Sequence, residues 1–268
     1  MRRQQVSLQW IFKVRDDAMI DIHAHILPGI DDGAADIYDT LEMAEIAAGS
    51  GIRAIVATPH CNIPGVYDNY FGEHYKELFI KTYRAIEREK IPVKIFPGME
   101  VFATEDLPWR YQNGEIITLL QSKYLLVEFS FGEDPFFVGR ILEQLEELGL
   151  KPVVAHAERY EFVQDNPQIV YQWRKKGYVI QANKGSFLGR FGRSAQETVY
   201  RLLDHNLISV VASDAHSSKH RTPYLLETYD MLQEECAREY RDVLFYRNPA
   251  RICKNKPILM PEPIPFEE

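Results

Sequence analysis

Met19-Ile20-Asp21-Ile22-His23-Ala24-His25 is a short apolar run, with isoleucine at alternate positions, that ends in two histidines. Runs of this kind form the buried strands of α/β proteins, and successive side chains on a strand point to opposite faces. Asp21, His23 and His25 therefore share a face, so both imidazoles can reach one cation. Asp21 reads as an acceptor for an imidazole or as a polar residue at a strand entry. Taken alone, two histidines one residue apart also fit two unrelated side chains.

Outward from this stretch the chain alternates apolar runs with segments of helical period. Strands are expected at 19–23, 52–57, 93–97, 124–129, 152–155, 178–181 and 208–212. Helices are expected at 36–48, 70–90, 137–148, 169–176, 194–205 and 224–240. Such alternation calls for parallel strands joined by crossover helices, in an open sheet or a barrel.

The polar residues decide between the two. Asp21, His23 and His25, then Thr58 and His60, Glu100, Glu128, His156, and Asp214 with His216 fall at or just past the ends of successive strands. In a barrel those ends meet at one mouth, whereas an open sheet would gather only the ones near its switch point. The expectation is a single-domain α/β protein, a distorted seven-stranded (β/α) barrel over 19–255. A Pro-rich tail at 256–268 either caps it or trails free. Residues 1–18, basic at the start with an apolar knot at Trp10, Ile11 and Phe12, are read as an extension of little function or an upstream-start artefact, since Met19 opens the first strand.

Burying an unpaired carboxylate beside apolar strands is prohibitively costly, and a shared cation removes that cost. That is the chemical reason to group Glu100, Glu128 and Asp214 with the histidines. The formal charge of −8 repels nucleic acid and anionic membranes, which argues against a nuclease. Three cysteines, none in C-x-x-C spacing, exclude a thiolate zinc site or disulfide framework. No apolar run approaches the ~18 residues that span a bilayer, and the expected location is cytoplasmic, without membrane insertion.

The ordered set D-x-H-x-H (21–25), T-P-H (58–60), Glu100, H-A-E-R-Y (156–160) and S-D-A-H (213–216) resembles the PHP (polymerase and histidinol phosphatase) superfamily. The loop from His25 to Gly33 and the segment Val127-Glu128-Phe129-Ser130 look like the bacterial capsule- and exopolysaccharide-locus protein-tyrosine phosphatases of that superfamily. The resemblance implies a PHP-type barrel with a trinuclear site: His23, His25, Glu100 and Asp214 on one metal; Glu100, Glu128 and His156 on a second; Asp32, His60 and His216 on a third. Sequence alone leaves Asp31 and Asp32 open, and the family pattern favours Asp32. Other PHP branches carry histidines where Asp32 and Glu128 stand, which turns the expected cofactor towards Mn2+, with Fe, Zn or Co as alternatives and two or three ions bound.

The implied reaction is hydrolysis of phosphotyrosine by a metal-bridging hydroxide, without a phosphoenzyme. The implied partner is a phosphotyrosine-bearing protein, a bacterial tyrosine kinase that regulates capsule or exopolysaccharide synthesis. Arg159, three residues after His156, and Arg221, five after His216, are candidates for a phosphate clamp, the alternative being ordinary surface or ion-paired arginines. A small-molecule phosphatase of the histidinol-phosphate type and a non-catalytic metal-binding scaffold are the competing functions. Cys61 lacks a C-x-x-x-x-x-R phosphate loop and reads as a packed thiol, His74 and His205 read as surface groups, and His220, in the loop after the last metal motif, either touches substrate or lies there by chance, the latter being the default. Tyr67, Tyr70, Phe71, Phe131, Phe136 and Phe187 either cradle a phosphotyrosine ring or fill core.

Overall fold

The computed structural model describes residues 18–267, so the N-terminal segment, apart from Ala18, lies outside the described residues. The described residues form nine strands: β1 (Met19–Ala24), β2 (Ile52–Ala57), β3 (His60–Cys61), β4 (Lys94–Pro97), β5 (Glu100–Phe102), β6 (Tyr124–Glu128), β7 (Lys151–Val154), β8 (Val179–Asn183) and β9 (Val210–Ala212). Every pairing between them is parallel, in the orders β1-β2-β4 and β3-β5-β6-β7-β8-β9.

Nine strands fill the seven expected places because two strands are broken. β2 and β3 are one strand interrupted at Thr58-Pro59, and β4 and β5 are one interrupted at Gly98-Met99. β2 pairs β4 before the breaks and β3 pairs β5 after them. Pro59 cannot donate to a ladder. At Gly98 a Cβ would lie 2.7 Å from Val56 Cγ1, so only glycine fits the close approach there. The Tyr75 hydroxyl donates to Gly98 O at 2.8 Å and accepts from its N–H at 3.2 Å, satisfying both groups the kink removes from the sheet.

The ring closes at the strand ends. His25 N–H donates to Ala215 O at 2.8 Å and Asp214 N–H to His23 O at 2.9 Å, so the chain past β9 pairs with the end of β1. The barrel interior is apolar, with Ile20, Ile22, Val56, Leu126, Val153 and Val210 in one cluster. A second cluster, including Met43, Phe79, Leu142, Leu145 and Leu202, lies between strands and helices.

Helices Ile37–Gly49, Glu73–Arg88, Pro135–Glu147, Gln168–Lys175 and Arg193–Asp204 answer five of the six expected. Asp36 and Asp134 cap two of them by accepting first-turn N–H groups. The sixth, 224–240, is a correction: the chain forms Leu226–Met231, turns, forms Arg238–Asp242, passes through a π turn at Val243–Arg247 and ends in Asn248–Cys253. Exposed Gln233, Glu234 and Glu235 leave no apolar stripe to hold one long helix against the barrel. Pro249, a breaker in sequence, serves in the first turn of the last helix.

That last helix seals the bottom of the barrel with Ala250 and Ile252. The described tail runs along the same end. Leu259 exchanges both backbone bonds with the Asn248 side chain, at 2.7 and 2.9 Å, and Ile264 N–H donates to His205 O at 2.9 Å. Phe266 stacks on His205 at 3.8 Å, so that histidine is half-covered instead of a free surface group. Among the described residues no helix is long and apolar enough to cross a membrane.

Candidate metal centre

Glu100 stands at the middle of the mouth, fully buried just past the Gly98 kink. Its Oε1 lies 3.0 Å from His156 Nε2 and 3.2 Å from His23 Nε2. Its Oε2 lies 3.2 Å from His25 Nε2 and 3.1 Å from His60 Nδ1. Asp214 Oδ1 approaches His23 Nε2 at 3.4 Å and both His25 Nε2 and His216 Nδ1 at 3.5 Å. Glu128 joins from β6, 3.3 Å from His156 and 3.4 Å from His60. Asp32 Oδ1 is 3.5 Å from Nε2 of both His60 and His216. All nine sequence-derived candidates thus meet at one place.

Three overlapping groups have donor atoms within 4.8 Å of one another: His25, Asp32, His60 and His216; His23, His25 and Glu100; and His60, Glu100 and Glu128. His60 Nδ1 and Glu100 Oε2 are buried without a hydrogen-bond partner despite their proximity, and a cation accepts lone pairs that face each other without a proton between them. Imidazole nitrogen mixed with carboxylate oxygen suits divalent manganese, iron or zinc. By these criteria the residues fit a cluster of divalent ions. The groups overlap more than the expected partition: His25 belongs to two of them, His60 faces Glu100 and Glu128 with one nitrogen and Asp32 with the other, and His156 and Asp214 reach the cluster through their contacts with Glu100, Glu128 and the imidazoles.

A surrounding layer aims the rings. His25 Nδ1 lies 2.8 Å from Asp31 Oδ2, which also accepts the His60 N–H at 2.8 Å. Asp31 is thereby committed to orienting, while Asp32 turns its carboxylate to the cluster. His23 Nδ1 lies 3.0 Å from Gln181 Oε1, and Gln181 in turn donates to Asn183, whose amide donates to Asp214 Oδ2 at 2.6 Å. Such partners fix ring orientation and tautomer. Of the two readings of Asp21, its hydrogen bonds favour the structural one: its carboxylate accepts from Ser213 Oγ and, at 3.0 Å, from Ser213 N–H, tying β1 to the chain just past β9.

His156, Asp214 and Arg221 hold left-handed backbone, with φ of 32°, 49° and 50°. For residues with a Cβ such conformations are disfavoured and persist where surroundings impose them. Gln181 Oε1 accepts the His156 N–H at 3.0 Å, and His216 N–H donates to Arg221 O at 2.9 Å.

Electrostatically the cluster is strongly coupled. Burial alone would push the Glu100 and Asp214 carboxyls up, but facing imidazoles pull both well below the carboxylate range. Burial disfavours the charged form of His25 and His156 as well, by opposing their protonation, yet Asp31 and Asp214 hold His25 well above the ordinary range, and Glu100 with Glu128 raises His156 to about 10. Asp32 is lowered chiefly by its bond to His216.

Arg159 and Arg221 both arrive at the rim. Arg221 pairs with Asp214 Oδ2, and Arg159 Nη1 lies 3.7 Å from the same oxygen. Among the aromatics, Tyr67 stacks on His60 at 5.7 Å and Phe131 lies 5.9 Å from His156, both beside the cluster. Phe187 is core, Tyr70 donates to Asn62, Phe71 packs on Tyr75, and Phe136 is exposed on its helix. Cys61 is a buried thiol pushed up to about 12 by burial, the packed group expected. Sequence reasoning missed Gln181, Asn183 and Phe191; the first two carry a signal, since amides at alternate positions of an apolar strand need buried partners.

Barrel and cluster together define a metal-binding (β/α)-barrel protein. Residues 19–254 match the family model described as capsular polysaccharide synthesis, CpsB/CapC, and the chain belongs to that family. It is 36% identical over 249 residues to the tyrosine-protein phosphatase YwqE of Bacillus subtilis, covering 93% of this chain and 97% of that one. It is 30% identical to the tyrosine-protein phosphatase CpsB of Streptococcus pneumoniae over 87% of this chain and 98% of the relative. A crystal structure from the study of YwqE and CpsB, described as unique metal-dependent tyrosine phosphatases, superposes with TM-score 0.87 at 36% identity, covering 93% of this chain and all of the other. The phosphotriesterase homology protein of Escherichia coli, at 12% identity and TM-score 0.61, covering 90% of this chain and all of its own, shares the fold alone.

Proposed function

We propose that this chain is a metal-dependent protein-tyrosine phosphatase in which His23, His25, Asp32, His60, Glu100, Glu128, His156, Asp214 and His216 hold two or three divalent cations. The observation that carries the reading is Glu100, a buried carboxylate ringed by four imidazole nitrogens at 3.0–3.2 Å. Four carboxylates among the nine donors favour Mn2+ as the ion. Divalent cations bound there supply Lewis acidity, neutralising phosphoryl oxygens and lowering the pKa of water.

The chain's own residues do the rest. Arg159 and Arg221 converge on one side of the cluster, where their N–H edges bind non-bridging phosphate oxygens. Asp31 and Gln181 keep the imidazoles of His25 and His23 aimed at the cluster. The departing phenolate has a conjugate acid of pKa about 10 and needs less protonation than an alkoxide.

The proposed substrate is a phosphotyrosine on a protein, a bacterial tyrosine kinase of capsule or exopolysaccharide assembly. Family membership supports it. So does the openness of the site: Asp32 is 52% and Arg221 30% exposed, so the cluster reaches solvent at the rim, as a bulky protein substrate requires and a closed small-molecule pocket does not. A cytoplasmic location follows, since an ATP-dependent kinase presents its phosphotyrosines there. The test compares a phosphotyrosyl peptide with histidinol phosphate in Mn2+-loaded protein and after chelation. Turnover of the peptide that chelator abolishes and Mn2+ restores is expected; turnover of histidinol phosphate alone would overturn the assignment.

A further inference from the structure

Phe191 lies beyond β8 in the loop between helices Lys184–Phe187 and Arg193–Asp204, remote in sequence from either arginine. Its ring is 4.2 Å from the Arg159 guanidinium carbon and 5.4 Å from that of Arg221. Phe131, from the loop after β6, has its ring centroid 4.4 Å from the Arg159 guanidinium carbon, so two phenyl rings lie against that guanidinium. The Phe191 seat is built: a Cβ on Gly185 would come 2.6 Å from Phe191 Cε2, so the ring occupies the space a side chain at 185 would take. The loop is itself tied back, with Arg190 N–H donating to Gly185 O at 2.9 Å and Gln196 to Phe187 O at 2.9 Å.

The chemistry of guanidinium gives this stacking a purpose. Its faces stack on aromatic rings, whereas its five N–H donors lie in the plane and point outward. Packing the faces against rings restrains a long, flexible side chain without consuming a single donor, and leaves the edge free for an anion. Arg221 also pairs with Asp214 through Nη2, which engages one donor, and the ring adds restraint without engaging any of the others. Two guanidinium groups held close together also repel, and the negative face of a shared ring offsets part of that cost.

We propose that Phe191 is a positioning residue for phosphate recognition, a shared aromatic anchor that aligns Arg159 and Arg221 so that their donor edges face the phosphoryl group. The inference rests on the proposed function, in that it takes the two arginines as the phosphate clamp.

The experiment measures, in Mn2+-loaded full-length protein, competitive inhibition by inorganic phosphate together with KM and kcat for a phosphotyrosyl peptide. The variants are Phe191→Ala, Phe191→Leu, Phe191→Trp, Arg159→Ala, Arg221→Ala, the double arginine variant, and that variant carrying Phe191→Ala. Metal content and melting temperature accompany each one. Phe191→Ala is expected to weaken phosphate about 5- to 30-fold and raise KM similarly, with metal content unchanged. Phe191→Leu fills the seat without a π face and should stay impaired, while Phe191→Trp restores phosphate affinity. On the double arginine variant, Phe191→Ala should add nothing.

Full rescue by leucine would reduce Phe191 to packing and overturn the proposal. So would Phe191→Ala and Phe191→Leu binding phosphate within about twofold of the parent while the arginine variants bind it weakly. Should the arginine variants retain phosphate affinity, the clamp reading itself fails and the anchor falls with it, a result distinguishable because it appears without any change at position 191. If the alanine variant melts early, the leucine and tryptophan pair decides alone.

Discussion

The two sides of the donor cluster are built differently. Around Glu100, the side chains of His23, His25, His156 and Asp214 are at most 2% exposed, and each is held by a further buried partner or by imposed backbone geometry. Around Asp32, His60 and His216 are 13% and 9% exposed, and Asp32 itself is half in water. Burial strengthens electrostatic interaction and raises the cost of leaving a charge unpaired, so the inner side should bind its ion tightly and fail completely when broken. The outer side should exchange its ion and fail by degrees.

The sharpest way to break this contrast is Glu100→Gln, which keeps shape and removes the charge shared by four imidazoles. A loss of about 10³-fold in kcat, with at least one metal equivalent gone by elemental analysis, is expected. Asp32→Asn should cost about 10²-fold and release only the outer ion, with the inner content retained; loss of every ion from this variant would erase the distinction between the sides. Asp31→Asn and Gln181→Ala leave the donors in place and loosen their aim. Each should weaken metal affinity about 10- to 100-fold in titration with Mn2+, while kcat at saturating metal changes little.

The metal-free protein offers a subtler probe. His156 is raised to about 10, so the stability its ion pairs with Glu100 and Glu128 contribute is fully present below the unfolded value near 6.5 and is lost as pH rises towards 10. Melting temperature in chelator should therefore fall across that window. Since a cation displaces the same protons, Mn2+ binding should release protons within it, measurable by calorimetry in buffers of different ionisation enthalpy. A melting temperature in chelator that is flat or rising over this range would show that His156 is neutral before metal binds.

Much of this arrangement is written locally. The strands at 52–57 and 124–128 announce themselves as short apolar runs, and the donors at or just beyond their ends stand out as polar groups with no local reason to be buried. The breaks at Pro59 and Gly98 are harder to read: Gly98 is dictated by the distant Val56 and Tyr75, a contact that exists only once the sheet forms. Asp31 and Asp32 illustrate the same limit, since adjacent identical residues acquire opposite roles from the side of the loop that each faces. Phe191 gave no signal at all. An aromatic residue in a loop acquires its meaning only when two arginines, one from the turn after β7 and one from the loop after β9, arrive beside it.

A crystal soaked in Mn2+ and measured across the manganese absorption edge interrogates the shared cage directly. Anomalous peaks about 2.0–2.3 Å from Nε2 of His23 and His25 and from the Glu100 carboxylate, with a weaker peak beside Asp32, are the predicted result. Full occupancy at other residues, with no density between these side chains, would contradict it.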